Sequence, residues 1–360
     1  MNVVILGTGM IGEVHRRAAL MAGARIIGAM ASTPRRSEEA ASRWGTEPVR
    51  SLDELAGLAP DVVHVCSPNS LHADHVEAAI DAGAHVICEK PLAVGSDVAE
   101  RLTCLAEDRG KVATVPFVYR FHPLVREIRA RVTAGEFGRW QLLHGSYLQD
   151  WLLSPEATSW RVDSAAGGPS RAFADIGSHW CDLMEFVTGE RIATVLAAMT
   201  TTVPERPVGS SVRAVDTEDA ATVLFTTRSG VLGSVTVSQV SAGRKNRLWF
   251  EFDGQHRSAV FDQENPETAW LGSQASAEVL ARGAVPASAE HRRLSTLPPG
   301  HPQGYAQCFD NFVADTYGVI HGEKRDGLPT FADGNRSAHI VDAVVESART
   351  GRWTPVQEES

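Results

Sequence analysis

The first twelve residues constrain this chain more than any other stretch. Val3-Val4-Ile5-Leu6 is a strand-length apolar run, and Gly7-Thr8-Gly9-Met10-Ile11-Gly12 follows it directly into a helical segment. A strand, a G-x-G-x-x-G turn and a helix, in that order, is the arrangement that binds the pyrophosphate of a dinucleotide. Gly7 permits the tight turn, Gly9 lets the backbone approach the phosphates, and Gly12 allows close helix-strand packing. The helix start offers unpaired N–H groups to the anion. A glycine-rich turn with no ligand would read the same way, so the weight of the motif depends on the segments downstream of it.

Short β-branched runs at Val3–Leu6, Ile26–Met30, Val62–Cys66, Val86–Cys88 and Val112–Val115 alternate with helical periods. Each run is continuous rather than alternating, as expected of strands covered on both faces. Residues 1–118 therefore read as a doubly wound parallel sheet of the Rossmann type, a fold of α/β class. Gly23, Gly45, Gly83 and Gly110 stand just past the helical stretches, where a residue without Cβ takes the left-handed cap conformation. Ser51-Leu52-Asp53-Glu54 matches a capping box that opens a further helix.

After His122-Pro123 the pattern changes. A helix through about Ala134, a strand near Gln141–Leu148, a glycine-rich loop and another helix lead into several strand-like runs between about Ile192 and Leu271. Ala221–Thr227 and Val231–Val237, separated by Arg228-Ser229-Gly230, read as a hairpin, so residues 119–360 are expected to form an α+β domain with a large, open, mostly antiparallel sheet. Gly272–Gly300, rich in Ala, Ser, Pro and Gly, reads as a long excursion, and Gly334–Thr350 is helical, with Ile340, Val344 and Ser347 on one stripe.

Composition removes several function classes. A formal charge of -10 with well-mixed signs argues against a nucleic-acid partner. The longest apolar stretches are strand-length and the start lacks a basic segment followed by an apolar one, so neither a membrane span nor a signal peptide is expected, and a cytoplasmic location is the natural expectation. Cys66, Cys88, Cys104, Cys181 and Cys308 are an odd set without Cys-x-x-Cys spacing, which fits buried thiols better than disulfides or a zinc site. No metal is expected.

The end of the second strand usually discriminates between the two dinucleotides, through an acidic residue that bonds the ribose 2′-hydroxyl. Met30-Ala31-Ser32-Thr33-Pro34-Arg35-Arg36 has none. Its hydroxyls and guanidiniums suit a 2′-phosphate, which favours NADP over NAD; the alternative is that Arg35 and Arg36 are only the solvated first turn of a helix.

Three segments carry a resemblance to a known family: Gly7-Thr8-Gly9-Met10-Ile11-Gly12, the run Cys88-Glu89-Lys90-Pro91-Leu92, and Gly167-Gly168 followed by Asp175-Ile176-Gly177-Ser178-His179-Trp180-Cys181-Asp182. Together they resemble the Gfo/Idh/MocA family, the relatives of glucose-fructose oxidoreductase and inositol dehydrogenase. The resemblance spans the chain, since Cys66-Ser67-Pro68-Asn69-Ser70-Leu71-His72 looks like the family's cofactor-contacting turn and Phe331-Ala332-Asp333-Gly334 like the lead-in to its terminal helix. It implies a Rossmann domain, a second domain whose open sheet serves oligomer contacts in a homodimer or homotetramer, and reversible oxidation of sugars, cyclitols or related compounds. It also implies a cis Lys90–Pro91 bond, and dinucleotide contacts from Gly7, Gly9, Met10, Ile11, Gly12, Ser32, Thr33, Arg36, Ser67, Pro68, Asn69, His72, Glu89 and Lys90.

Local chemistry supports the same residues. Lys90 follows a parallel strand at its carboxyl end, where ligands of open α/β sheets bind. Asp175 and His179 are four apart and share a helix face with Asp182 one turn on, while Ile176, Trp180, Leu183 and Val187 form an apolar stripe beside them. The polar row is then expected to face the cleft. An imidazole titrates near neutrality, so His179 is suited to take a hydroxyl proton while hydride leaves the carbon for the nicotinamide. Lys90 would stabilise charge on the same oxygen, and Asp175 would hold the pair or the substrate. Which of Lys90 and His179 carries the proton stays open on sequence alone. Tyr147, Asp150, Trp151, Trp160 and Arg161 are the further substrate candidates, with Gln149 and Arg171 nearby. Ordinary core packing is the competing reading for Trp151 and Trp160. Three rivals remain: a zinc alcohol dehydrogenase, a keto-sugar or aldehyde reductase, and a catalytically silent dinucleotide-binding regulator.

Overall fold

The computed structural model describes residues 1–208, 211–284 and 286–357, and they fall into two compact units. The first joins Met1–Val118 to Ala306–Ala338; the second joins Tyr119–Tyr305 to the described residues from His339 on. A single cut after residue 118 is therefore too simple. Ala306–Ala338 returns to the first unit because its side chains complete that core: Phe309 lies edge-on to His15, and Phe331 packs among the buried strand residues.

In the first unit the chain runs β1 (Asn2–Leu6), α1 (Met10–Met21), β2 (Arg25–Met30), α2 (Pro34–Trp44), β3 (Glu47–Pro48), α3 (Leu55–Leu58), β4 (Val62–Val65), α4 (His72–Asp81), β5 (His85–Cys88), α5 (Ser96–Asp108) and β6 (Ala113–Thr114). The sheet is parallel throughout, in the order β3-β2-β1-β4-β5-β6. All five expected strands are present; two-residue β3 is an addition that carries no periodicity to read. The strand order reverses between β1 and β4, which makes the crevice at their carboxyl ends the binding position for such a sheet. Val3 to Leu6 and Val62, Val63 and Val65 are fully buried, as strands covered on both faces require. Gly23, Gly45, Gly83 and Gly110 all take positive φ. The expected capping box does not form: Ser51 makes no side-chain cap, and Glu54 accepts from the Arg50 amide rather than from that of Ser51.

The second unit contains α6 (Pro123–Thr133), β7 (Trp140–Leu148), α7 (Ser164–Gly167), α8 (Ser178–Thr188), β8 (Ile192–Thr200), β9 (Glu205–Val208), β10 (Ser211–Ala214), β11 (Ala220–Thr227), β12 (Leu232–Ser238), β13 (Arg247–Gly254), β14 (Ser258–Asp262), β15 (Thr268–Gly272), β16 (Ala277–Ala281) and α9 (Ala289–Leu294). Helix α10 (Tyr305–Ile320) then lies in the first unit from Ala306 on, and α11 (Phe331–Thr350) passes from the first unit to the second before β17 (Thr354–Pro355). Nine strands form one sheet, β16-β15-β14-β13-β7-β12-β11-β8-β17, while β9 and β10 pair separately. Every neighbour in the large sheet is antiparallel except β7 and β12. The predicted hairpin is β11–β12. The stretch read as a long excursion instead holds edge strand β16 and helix α9, the latter capped by the Ser288 hydroxyl on the His291 amide.

One face of this sheet is covered, and Trp180 on α8 fixes the contact. Its ring is buried against Phe225 and Phe252, and its Nε1 donates to the Trp249 carbonyl at 3.0 Å. The other face keeps large apolar side chains in the open, among them Leu232 at 51% and Val279 at 68% exposure.

His122, which precedes α6, accepts from the Leu124 amide through Nδ1 and is fully buried, and burial pushes its pKa down to about 3. In an unfolded chain the same group titrates near 6.5. Between those values the unfolded chain binds the extra proton, so this stability is complete above pH 6.5 and is lost as the pH falls toward 3. Unfolding free energy should therefore decline on acidification by up to about 1.4 kcal/mol per pH unit from this group alone. Denaturant titrations at pH 7 and pH 5 on the parent and on His122→Asn test this: the variant should show a shallower decline, and equal declines would refute it.

Candidate active site

In the first unit the glycine loop has the geometry its motif requires. Gly7 takes φ +114°, and a Cβ there would meet the Cys66 carbonyl at 2.3 Å. A Cβ on Gly12 would meet the Gly7 carbonyl at 2.0 Å, so both glycines are fixed by backbone packing. Gly9 differs, since nothing of the protein lies within 4 Å of an added Cβ. Gly9 also caps α1 with no side-chain hydrogen bond, which leaves the first-turn N–H groups for a ligand. Ser67, beyond β4, has its Oγ buried with no hydrogen-bond partner among the described residues. A free helix start and an unpaired buried hydroxyl at the carboxyl end of the sheet fit a dinucleotide.

At the end of β2, Thr33 caps α2 by accepting from the Arg36 amide, and the Arg36 guanidinium donates to Ser32 Oγ at 3.0 Å. Arg35 pairs with Glu39. Residues 30–36 at this strand end include no Asp or Glu.

His72 takes a different position from the expected ligand contact. It is fully buried, with Nε2 2.9 Å from the Ser67 carbonyl and Nδ1 2.9 Å from the Pro91 carbonyl. It links the turn after β4 to the loop after β5, so it shapes the site from behind. Glu89 also points inward. One oxygen is 3.0 Å from His15 Nε2, and the other accepts from the Lys90 amide at 3.2 Å. The contacts continue from His15 Nδ1 to His64 Nδ1 at 2.9 Å, then from His64 Nε2 to the Tyr317 hydroxyl at 2.9 Å. Burial and the neighbouring His15 hold His64 well below its ordinary pKa, so its ring is neutral. A neutral His64 has one ring nitrogen to donate and one to accept, so every contact from Tyr317 through His64 and His15 to Glu89 can be a hydrogen bond. Sequence reasoning missed this buried relay, because two histidines 49 residues apart reveal nothing until α1 and β4 are packed. The Lys90–Pro91 bond that the relay leads to is cis.

In the second unit Asp175 and His179 sit where a π-turn (Phe173–Gly177) runs into α8. Asp175 Oδ2 accepts from Gln239 Nε2 at 2.9 Å, and its Oδ1 is 3.6 Å from Arg161 Nε. Arg161 in turn lies over the Trp160 ring, 4.4 Å from its centroid. His179 is 8% exposed, edge-on to Tyr119 at 5.3 Å and tilted against Tyr147 at 6.3 Å. Tyr119 and Tyr147 share a 2.7 Å hydroxyl contact, and Asn246 bonds to both. Gln149 joins the same Asn246, and Trp151 donates to Gln149.

Trp160, Arg161 and Asp175 thus form one contact set with Gln239, and Tyr147 and His179 another with Tyr119 and Asn246, the Asp175 charge acting on Tyr147 across them; Tyr119, Gln239 and Asn246 are members that sequence reasoning did not name. The signal for Gln239 was the sheet itself. Because β7 and β12 are parallel and pair Leu148 with Ser238, Gln149 and Gln239 emerge at the same end of the sheet. Asp150 is engaged differently, with Lys245 Nζ at 2.6 Å and the Gly243 amide at 3.1 Å, and these contacts hold its carboxyl below the usual range.

Two further expectations are corrected. Asp182 does not continue a polar row into a cleft, because α8 is buried on almost every side and Asp182 forms a buried bidentate pair with Arg120. Arg171 is not positioned as a substrate contact either: it is buried, its Nε donates to the Glu218 carbonyl, and its guanidinium lies 3.7 Å from Asp219. Glu218 completes that loop by accepting from Ser170 Oγ and the Arg171 and Phe173 amides. The structure also gathers His144, Glu251 and Asp253 on β7 and β13, a trio with metal-ligand chemistry that sequence reasoning did not name.

Comparison with known proteins identifies the family and the fold. Residues 1–117 match the GFO_IDH_MocA model, described as an oxidoreductase family with an NAD-binding Rossmann fold, and residues 125–260 match the GFO/IDH/MocA C-terminal domain. Levoglucosan dehydrogenase of Pseudarthrobacter phenanthrenivorans is 31% identical, over 99% of this chain and 98% of its own length. A D-xylose 1-dehydrogenase (NADP(+)) of Haloferax volcanii is 39% identical over 49% of this chain and 53% of its own. A solved levoglucosan dehydrogenase in complex with NADH and L-sorbose superposes with a TM-score of 0.92 at 28% identity, covering 100% of this chain and 99% of that one. With both domains matched and a relative aligned from end to end, the chain belongs to the Gfo/Idh/MocA oxidoreductase family.

Proposed function

We propose that this protein is an NAD(P)-dependent dehydrogenase that reversibly oxidises a secondary hydroxyl of a sugar, cyclitol or sugar derivative. The observation that carries this reading is the polar group in the second unit. An imidazole held between two tyrosines and a carboxylate oriented by Gln239 and Arg161 offer a base and hydroxyl-binding partners at one sheet end. The bound nicotinamide supplies the hydride acceptor. His179 takes the carbinol proton, Lys90 hydrogen-bonds the carbinol oxygen and stabilises its developing charge, and Asp175 fixes the substrate hydroxyls. Tyr147, Asp150, Trp151, Trp160 and Arg161 frame the sugar ring, combining an aromatic surface with donors and acceptors. Sugar-dependent reduction of the cofactor, assayed over aldoses, cyclitols, anhydro-sugars and glycosides in both directions, tests the reading; no turnover of any of them overturns it.

Met10, Ile11, Pro68 and Asn69 join the glycines, Ser32, Thr33, Arg36 and Ser67 as the dinucleotide residues. NADP(H) is the expected preference, because the β2 end offers guanidiniums and hydroxyls with no carboxylate to repel a 2′-phosphate. Fluorescence titration with NADPH and NADH should give the lower Kd for NADPH; tighter NADH removes the preference. In the same titration Gly9→Ala should fold normally yet bind at least about tenfold more weakly, a loss of about 1.4 kcal/mol, because its methyl group occupies space the protein leaves open.

A homodimer or homotetramer built on the open sheet face is part of the same proposal, as is a cytoplasmic location. Leu142, Leu224, Leu232, Trp270 and Val279 give that face its apolar character. Light scattering should return a multiple of the 38.7 kDa chain mass, and a monomer at micromolar concentration would reject the assembly.

A further inference from the structure

The second unit contains a cavity of about 510 Å³ beside Trp160, bounded by the loop 158–163 and by the separate β9–β10 hairpin. That volume lies within the range of small-molecule sites, about 300–1,000 Å³. Its walls include Thr158, Trp160, Asp163, Arg206, Arg213 and Ala214.

Two features mark it as a built site. Arg206 is 1% exposed, and its terminal nitrogens lock the loop by donating to the carbonyls of Leu152, Ser154 and Ala157 at 2.6 to 2.8 Å. Its Nε remains buried with no hydrogen-bond partner among the described residues, on a side chain that lines the cavity. The three carbonyl contacts hold this wall of the cavity in place before any ligand arrives. The second feature is the wall's connection to the proposed substrate residues. Trp160 carries Arg161 on its ring, and Arg161 reaches Asp175.

The charge pattern selects the ligand. Arg213 and Asp163 form a bidentate pair at 2.6 and 2.9 Å, so this wall presents donors and acceptors already neutralised by one another. Such a rim suits neutral hydroxyls, and the indole suits the apolar face of a pyranose ring. We propose that this cavity is a second sugar subsite, and that the preferred substrates are glycosides or disaccharides in which one ring meets Asp175 and His179 while the next occupies the space beside Trp160. The proposal rests on the dehydrogenase reading above and extends it to the substrate class.

The test is calorimetric binding of a hexose, a disaccharide of that hexose and the hexose 6-phosphate to the holoenzyme, with turnover of the hexose recorded alongside. Two variants are compared with the parent: Ala214→Trp, which fills the cavity, and Arg213→Ala, which strips an exposed wall residue and guards against misfolding of the first. The parent should bind the disaccharide at least tenfold more tightly than the hexose. Both variants should lose most of that advantage while hexose affinity stays within twofold. Equal affinities in the parent, or an advantage that survives both variants, overturns the subsite; selective loss of the hexose phosphate instead makes it an anion site and also overturns the proposal. Hexose turnover reports separately on the dehydrogenase reading, because the binding comparison stands whether or not turnover is seen.

Discussion

Replacing His179 by alanine should lower kcat about 10²–10⁴-fold, the range a positioned general base supplies, while the Kd for the dinucleotide stays unchanged. The scaffold around the imidazole should survive the change. Tyr119, Tyr147 and Asn246 are bonded to one another, so the pocket they form does not depend on the histidine. Lys90→Met should also reduce kcat, by about 10²–10³-fold if its part is to stabilise charge on the carbinol oxygen. The pH profile separates the two roles. The variant that removes the limb of kcat near neutrality has lost the proton acceptor, whereas the other should keep the limb at a lower plateau. Effects of groups acting on one oxygen are not additive, so the double variant should fall little below the poorer single one. A His179→Ala protein with the parent's kcat and profile would end the assignment, and a parent protein that binds dinucleotide but oxidises nothing would favour the silent regulator.

Much of this was legible before any coordinates, for reasons that differ between the units. In the first unit each strand is covered on both faces, so Val3–Leu6 announces itself as an uninterrupted apolar run and Val62–Val65 as one broken only by His64, and the glycine caps punctuate the helices. The parts that escaped are those in which local preference is weak. Glu47–Pro48 is too short for any period, and Ala277–Ala281 reads as well for helix as for an edge strand. In the site, residue type located the chemistry but not the partners. Asp182 and Arg171 look like cleft residues by spacing alone; Arg120, 62 residues from the first, and Glu218, 47 from the second, claim them for the interior. His72 is similar, since only folding reveals that Ser67 and Pro91 lie on either side of its ring. Spacing along one helix reports a shared face, and what covers that face is decided by elements far away in sequence.

That distinction makes Asp182 the most informative residue for stability. Its carboxylate accepts from both Nε and Nη2 of Arg120, and the two side chains are 4% and 8% exposed. The Arg120 guanidinium also lies over Phe186, a ring approached within 5 Å by Arg126 and Arg129 as well. Removing the carboxylate with Asp182→Ala leaves that concentration of buried positive charge without its bidentate acceptor. Breaking a buried pair from one side costs about 3–5 kcal/mol, a large share of the roughly 5–15 kcal/mol that holds a typical domain together. For a unit of this size the midpoint of thermal unfolding should fall by roughly 6–20 °C. A cleft residue would behave in the opposite way, with kcat or KM changed and the unfolding midpoint preserved. Replacing both partners, as in Arg120→Met with Asp182→Leu, removes the two desolvation costs together and should recover most of the loss. Should the single and double variants unfold at the same temperature, the pair is not what stabilises this face of α8, and the burial of Asp182 would need another cause.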